Sequence, residues 1–228
     1  MVLGRFPSKM RWFKRDQGLP VSKKVGGAIV LLLVVVLDCS TQPRGAGQLK
    51  EASLPMDSQR LQLDTGDLVF RTGRDVMARL VLSQGEEARF SHVGMLVRSG
   101  GDLLVIHAVP DELGAVGGVR MEPLIGFASP EVARDLGFYR LRGVTPTSRE
   151  AMRAYLTGQI GKPFDARFQM STDDAFYCTE LVLKAIAHAG CAPRGGLKGV
   201  RLPLMAEEVF PPDQLSKVDI LEPIRPTQ

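Results

Sequence analysis

Cys178, His92 and His107 are the residues of this 228-residue chain whose types and positions suit chemistry on a carbonyl group. Cys178 opens the apolar run "CTELVLKAI", where a helix is expected to begin. A free thiol titrates near pH 8.5, and a helix N-terminus or a neighbouring imidazolium lowers that value. The unpaired amides of a first helical turn favour a thiolate, and they can donate to a developing oxyanion. The two histidines lie in "HVGMLVRSGGDLLVIHAVP", two apolar runs around a Gly-Gly turn, which reads as a β-hairpin. With the turn centred on Gly100 and Gly101, residues whose numbers sum to 201 face each other. His107 then faces Gly94, and His92 lies two residues along on the same face. Such diagonal neighbours are roughly 7–8 Å apart at the backbone, within reach of ring side chains, and Gly94 leaves room for the His107 ring to lean toward His92. Nucleophile, base and a group that orients the base are the roles a thiol hydrolase requires.

The same residues allow other readings. Cysteine is among the most buried residue types, so Cys178 also reads as helix packing. A zinc site from His92, His107 and Cys178 would use the same geometry, although no local ligand pair such as C-x-x-C supports it. A disulfide to Cys191 would have to bridge about 18–20 Å along one helix unless the chain folds back. His188, near the end of that helix, reads as a structural group facing the negative end of the dipole.

The elements that must hold these side chains follow from periodicity and turn residues. Residues 67–73 read as a strand ended by Gly, 74–83 as a helix, 92–110 as the hairpin and 137–143 as a strand, with a further strand in "GVRMEPL". Thr147 and Glu150 are spaced as a capping box for a helix running to about Ile160. The helix after Tyr177 should stop at Gly190, and "LPLMAEEVF" reads as a short helix ending before Pro211 and Pro212. Strands and helices mix without regular alternation, which points to an α+β fold with an antiparallel sheet packed on helices.

The charge is uneven. Residues 1–38 hold seven of the 29 basic and two of the 25 acidic residues, leaving 22 against 23 in the rest. The body lacks the basic footprint that a nucleic-acid partner requires. The basic segment precedes thirteen uncharged residues from Val25 to Leu37, short of a full span and suited to the apolar region of a signal peptide. "VVLDCS" resembles a bacterial lipoprotein signal in which Cys39 is lipidated, with Asp38 where Gly, Ala or Ser is usual; an uncleaved anchor is the alternative. The expected organisation is an anchor over 1–39, a polar tether over 40–60 and a folded domain over 61–225. That places the domain outside the cytoplasm, on the periplasmic side of a bacterial cell envelope, with the membrane as a partner through the N-terminal anchor.

The ordered set "GDLVF", "SHVGMLV", "VIHAV", "GKPFD" and "FYCTELV" resembles the permuted papain-like hydrolases of the YiiX and YaeF kind, relatives of NlpC-type peptidases and of lecithin:retinol acyltransferase. The resemblance spans roughly Leu61 to Phe210. It implies a circularly permuted papain-like fold in which the histidine strand precedes the cysteine helix. It assigns Cys178 as nucleophile, His92 as base and His107 as the third polar residue, and it sets Tyr177 beside the nucleophile as a substrate-binding residue. Thr179 stands where the family has Ser, and Glu180 reads as a structural group of the helix start. The implied activity is hydrolysis of a peptide-like amide of the cell envelope through an acyl-enzyme, with no metal or cofactor. Hydrolysis or transfer of a lipid acyl group is the alternative substrate class, and a non-catalytic envelope ligand-binding module the alternative function.

Overall fold

The computed structural model describes residues 61–226 apart from 84–86, 113, 194–196 and 203–204. The expected anchor, its Cys39 and the tether lie outside the described residues. Among the described residues no helix is long and apolar enough to cross a membrane.

The elements run β1 (Leu68–Gly73), α1 (Val76–Leu82), β2 (His92–Ser99), β3 (Asp102–Val109), β4 (Gly118–Pro123), α2 (Leu124–Phe127), β5 (Ala133–Leu141), α3 (Pro146–Thr157), α4 (Cys178–His188), α5 (Pro212–Leu215) and β6 (Leu221–Pro223). The six strands form one antiparallel sheet in the order β4-β3-β2-β1-β5-β6. The architecture is α+β, as the mixture of elements implies.

The β2–β3 hairpin has the expected register, with Ser99 opposite Asp102 and Met95 opposite Ile106. Gly100 has φ +59 at the first position of a two-residue turn, where a hairpin turn of the II′ type takes glycine. Alternation then sorts side chains to the two faces of the sheet. One face carries Leu68, Phe70, Val93, Met95, Val97 and Ile106, packed under Met152 and Leu156 of α3 and Leu181, Val182, Ala185 and Ile186 of α4. The other carries Val69, Leu96, Val105 and Phe138, covered by Leu124 and Phe127 of α2 and by Leu61 and Leu63. Leu61 and Leu63, at the start of the described residues, are buried in this second cluster.

Three local expectations differ from the structure. The N-cap of α3 is Thr145, whose hydroxyl accepts from the Ser148 amide at 3.1 Å, with Pro146 in the first turn; Glu150 pairs with Arg153 instead of closing a box on Thr147. Pro146 is preset for a first helical turn, so it decides the start. β5 begins at Ala133, four residues before the expected strand, because Asp135 and Leu136 pair with the central strand β1 despite poor strand propensity. No helix forms over the described residues between Leu202 and Phe210. The short α5 starts within the proline pair, with Pro211 as N-cap and Pro212 at the first helical position, since proline there lacks only an N–H that would be unpaired anyway.

Asp67 of the "GDLVF" motif is fully buried and does structural work. Its carboxylate is held by Arg140 at 2.6 and 2.9 Å and accepts from the Asp64 amide at 2.8 Å. This network closes the start of the domain over the sheet.

Candidate active site

His92 is the first residue of β2, and Arg71 of β1 is its direct partner across the strand pair. His107 lies on β3, where a Cβ on Gly94 would come 3.2 Å from the His107 Cβ and 2.4 Å from a Val105 methyl. The glycine therefore leaves room first for the Val105 methyl and next for the base of the His107 side chain. The rings meet as the register implies: His92 Nε2 is 2.8 Å from His107 Nδ1, with ring planes at 76°.

The chain of polar groups continues to a residue that the sequence reading missed. Glu122 of β4 places Oε1 3.0 Å from His107 Nε2, an ion-pair distance without the alignment of a full hydrogen bond. His107 faces Arg120 on β4, and Glu122 lies two residues along. The His92–His107 diagonal is thus repeated between His107 and Glu122. The signal was present in "VRMEPL", a strand with one acid, but the β3–β4 register is set by a long connection and has no turn motif to fix it.

The partners define the proton positions. Glu122 is ionised: burial pushes its carboxyl up, but the contact with His107 and the charges of Arg120 and Arg71 outweigh this and leave it below its ordinary range. A carboxylate next to Nε2 selects the tautomer of His107 with the proton on Nε2. His107 Nδ1 is then an acceptor, His92 Nε2 is the donor to it, and His92 Nδ1 is left with a free lone pair. Both imidazoles are neutral. His92 is held well below its ordinary range by burial first, then by the positive charge of Arg71 and by His107 and Arg120. His107 is lowered by burial against the opposing pull of Glu122.

Cys178 is the first residue of α4 and half-buried against the helix-side core. The imidazoles belong to the other sheet face by alternation. The Val93 amide, next to His92, is among the donors that favour a thiolate, along with the Thr179 hydroxyl and the amides of Thr179 and Cys178. Burial outweighs these donors and pushes the thiol up. This corrects the expectation of a lowered thiol pKa at the helix start: burial holds the thiol in its neutral form. Cys178 and Cys191 are both free, and the Cys191 thiol turns to the Ala189 carbonyl at 3.4 Å.

Tyr177 and Glu180 hold the helix start. Glu180 accepts from the Tyr177 amide at 3.1 Å and binds Lys184 at 2.8 Å. Burial raises its carboxyl to about 7, against the opposing pull of Lys184. Tyr177 is 2% exposed, packed on Phe168, with its hydroxyl accepting from the Phe210 amide at 3.4 Å. The ring of Tyr177, expected beside the nucleophile as a substrate-binding residue, is thus enclosed, with its hydroxyl engaged. His188 packs on Tyr155 at the far end of α4.

The zinc reading does not fit. The facing nitrogens of His92 and His107 are spent on each other, and among the described residues no group of three or more His, Cys, Asp or Glu is placed to hold a metal. A groove of about 490 Å³ near Gln62, Arg98, Pro123 and Ile125 contains none of the relay residues, so it does not mark the site.

Comparison with known families decides the relationship. The family model described as permuted papain-like amidase enzyme, YaeF/YiiX, C92 family matches residues 62–195. The chain belongs to this permuted papain-like amidase family. Its fold is also that of a crystal structure titled metalloprotein yiiX from Escherichia coli O157:H7, with TM-score 0.59 and 21% identity over 73% of this chain and 98% of that one. At that identity the likeness shows the fold. No curated protein matches the chain. The permuted order of the amidase family is visible here as the histidine strands β2 and β3 preceding the cysteine helix α4.

Proposed function

We propose that this permuted papain-like amidase is a thiol hydrolase in which Cys178 is the nucleophile, His92 the general base and acid, and His107 with Glu122 the orienting pair. The observation that carries the reading is the 2.8 Å contact between His92 Nε2 and His107 Nδ1, backed by Glu122. It leaves His92 Nδ1 as the free base. As the Cys178 sulfur attacks an amide carbonyl, the thiol proton passes to His92 Nδ1 and a C–S bond forms. The imidazolium so created is stabilised through Nε2–H by His107 and, behind it, the Glu122 carboxylate. Amides of the first turn of α4 donate to the carbonyl oxygen as it gains charge. His92 then gives its proton to the leaving amine as the C–N bond breaks. Water, deprotonated by His92, cleaves the resulting thioester. Starting from two neutral partners is what the burial of Cys178 and His92 favours, since an ion pair would have to form in a poorly solvated site.

The substrate class that best suits family and sequence is a peptide-like amide of the bacterial cell envelope. The N-terminal 39 residues support export and attachment to the membrane on the periplasmic side, through a lipid on Cys39 or an uncleaved apolar segment. Fractionation with labelled palmitate tests the attachment: wild type should carry label and Cys39→Ala should not. The chemistry is tested by incubating the protein with envelope extract and weighing it by mass spectrometry. An acyl adduct on Cys178, absent in Cys178→Ser, supports the reading. Cys178→Ser turning over substrate like wild type refutes it. The substitution should leave stability within about 1 kcal/mol, since it is small.

A further inference from the structure

Arg71 has no role in the mechanism above, yet it touches every part of the relay's support. It stands directly opposite His92 across β1 and β2. Its guanidinium lies 4.5 Å above the centroid of the Phe127 ring and donates to the Phe127 carbonyl at 3.1 Å. Phe127, fully buried at the end of α2, stacks on His92 at 5.7 Å and 30° and meets His107 edge-on at 5.1 Å. One ring therefore carries both imidazoles and the guanidinium. Arg71 Nε is buried without a hydrogen-bond partner. A group used only to fill this space would be better replaced by an apolar side chain, which leaves no buried donor unmet.

We propose that Arg71 is a positioning residue of the hydrolytic site: seated on Phe127, it fixes the ring against which both imidazoles rest and sets a permanent positive charge opposite His92. The inference rests on the reading of His92 as the base. The charged and titratable groups facing His92 are Arg71 from β1, His107 from β3, and Arg120 and, behind His107, Glu122 from β4. Burial does most to keep His92 neutral, and Arg71 is the largest charge acting with it. A base must be unprotonated to accept the thiol proton, so this charge extends activity toward acid pH. Lysine would supply the charge but not a flat face for the ring.

The test is the ring NMR titration of His92 in the full chain, assigned by comparison with His92→Gln. Arg71→Gln should raise the His92 midpoint by about one unit, whereas Arg71→Lys should leave it near wild type. An unchanged midpoint in folded Arg71→Gln overturns the charge role. Should Arg71→Gln fail to fold, Arg71→Lys remains decisive for the seat. With p-nitrophenyl acetate as probe it should lower kcat about tenfold with little change in KM, and wild-type kcat overturns the proposal. A raised midpoint in Arg71→Gln in a chain that hydrolyses nothing would leave the effect of the Arg71 charge on His92 standing and overturn its role in a hydrolytic site together with the hydrolase reading.

Discussion

His107 Nδ1 accepts a hydrogen bond from His92 Nε2 over 2.8 Å, and this contact makes the two histidines chemically unequal. His92 keeps a free nitrogen at the open end of the relay. His107 has both nitrogens engaged, the second by Glu122, and is completely buried. A base supplies proton transfer worth roughly 10²–10⁴ in rate, whereas an orienting group can be replaced in part by another acceptor. His92→Ala and His92→Gln should both remove nearly all turnover of an activated amide or ester. His107→Gln should retain a measurable fraction. Measuring kcat/KM for the three variants checks this, and an active His92→Gln beside a dead His107→Gln would reverse the assignment.

Glu122 enters through its charge. Glu122→Gln keeps size but removes the carboxylate that fixes the His107 proton on Nε2. A loss on the order of 10- to 100-fold in kcat is expected, by analogy with the partners that orient histidine elsewhere. Ring nitrogen NMR should show the His107 tautomer changing in this variant. A wild-type tautomer with wild-type kcat would remove Glu122 from the relay.

Gly94 is required by space. An alanine there would put its Cβ 2.4 Å from Val105 Cγ1 and 3.2 Å from His107 Cβ. Overpacking of this kind costs typically about 1–3 kcal/mol. Gly94→Ala should therefore lower the denaturation midpoint and also reduce kcat, because relief of the clash moves His107. Stability loss with full kcat per folded molecule would show that the imidazole has other room.

Glu180 should make stability depend on pH. Its folded carboxyl is raised to about 7 against an ordinary value near 4.5, by burial. The folded state then binds more protons than the unfolded one between these values, so this contribution is full below about 4.5 and is lost as pH rises through about 7. Glu180→Gln should flatten the fall in Tm between pH 5 and pH 8 relative to wild type, its amide oxygen still able to accept from Tyr177. Parallel pH profiles of the two proteins would exclude the carboxyl as the cause.

The relay's first half was readable without the fold. A hairpin with a Gly-Gly turn fixes its own register, so "HVGMLVRSGGDLLVIH" alone places His92 and His107 as neighbours and assigns Gly94 its purpose. The helix start at Cys178 followed from the apolar run it opens. The order of motifs was enough to indicate the permuted amidase family that the family model matches. Other features depend on contacts between segments distant in sequence. Glu122 joins His107 only because β4 returns beside β3, a register that no turn residue encodes. Phe127 and Arg71 meet only once α2 folds back over β1. The protonation of the site is also tertiary: local sequence put a dipole and amides at Cys178 and argued for a thiolate, but burial outweighs those donors, and a linear sequence does not show how much water the fold removes.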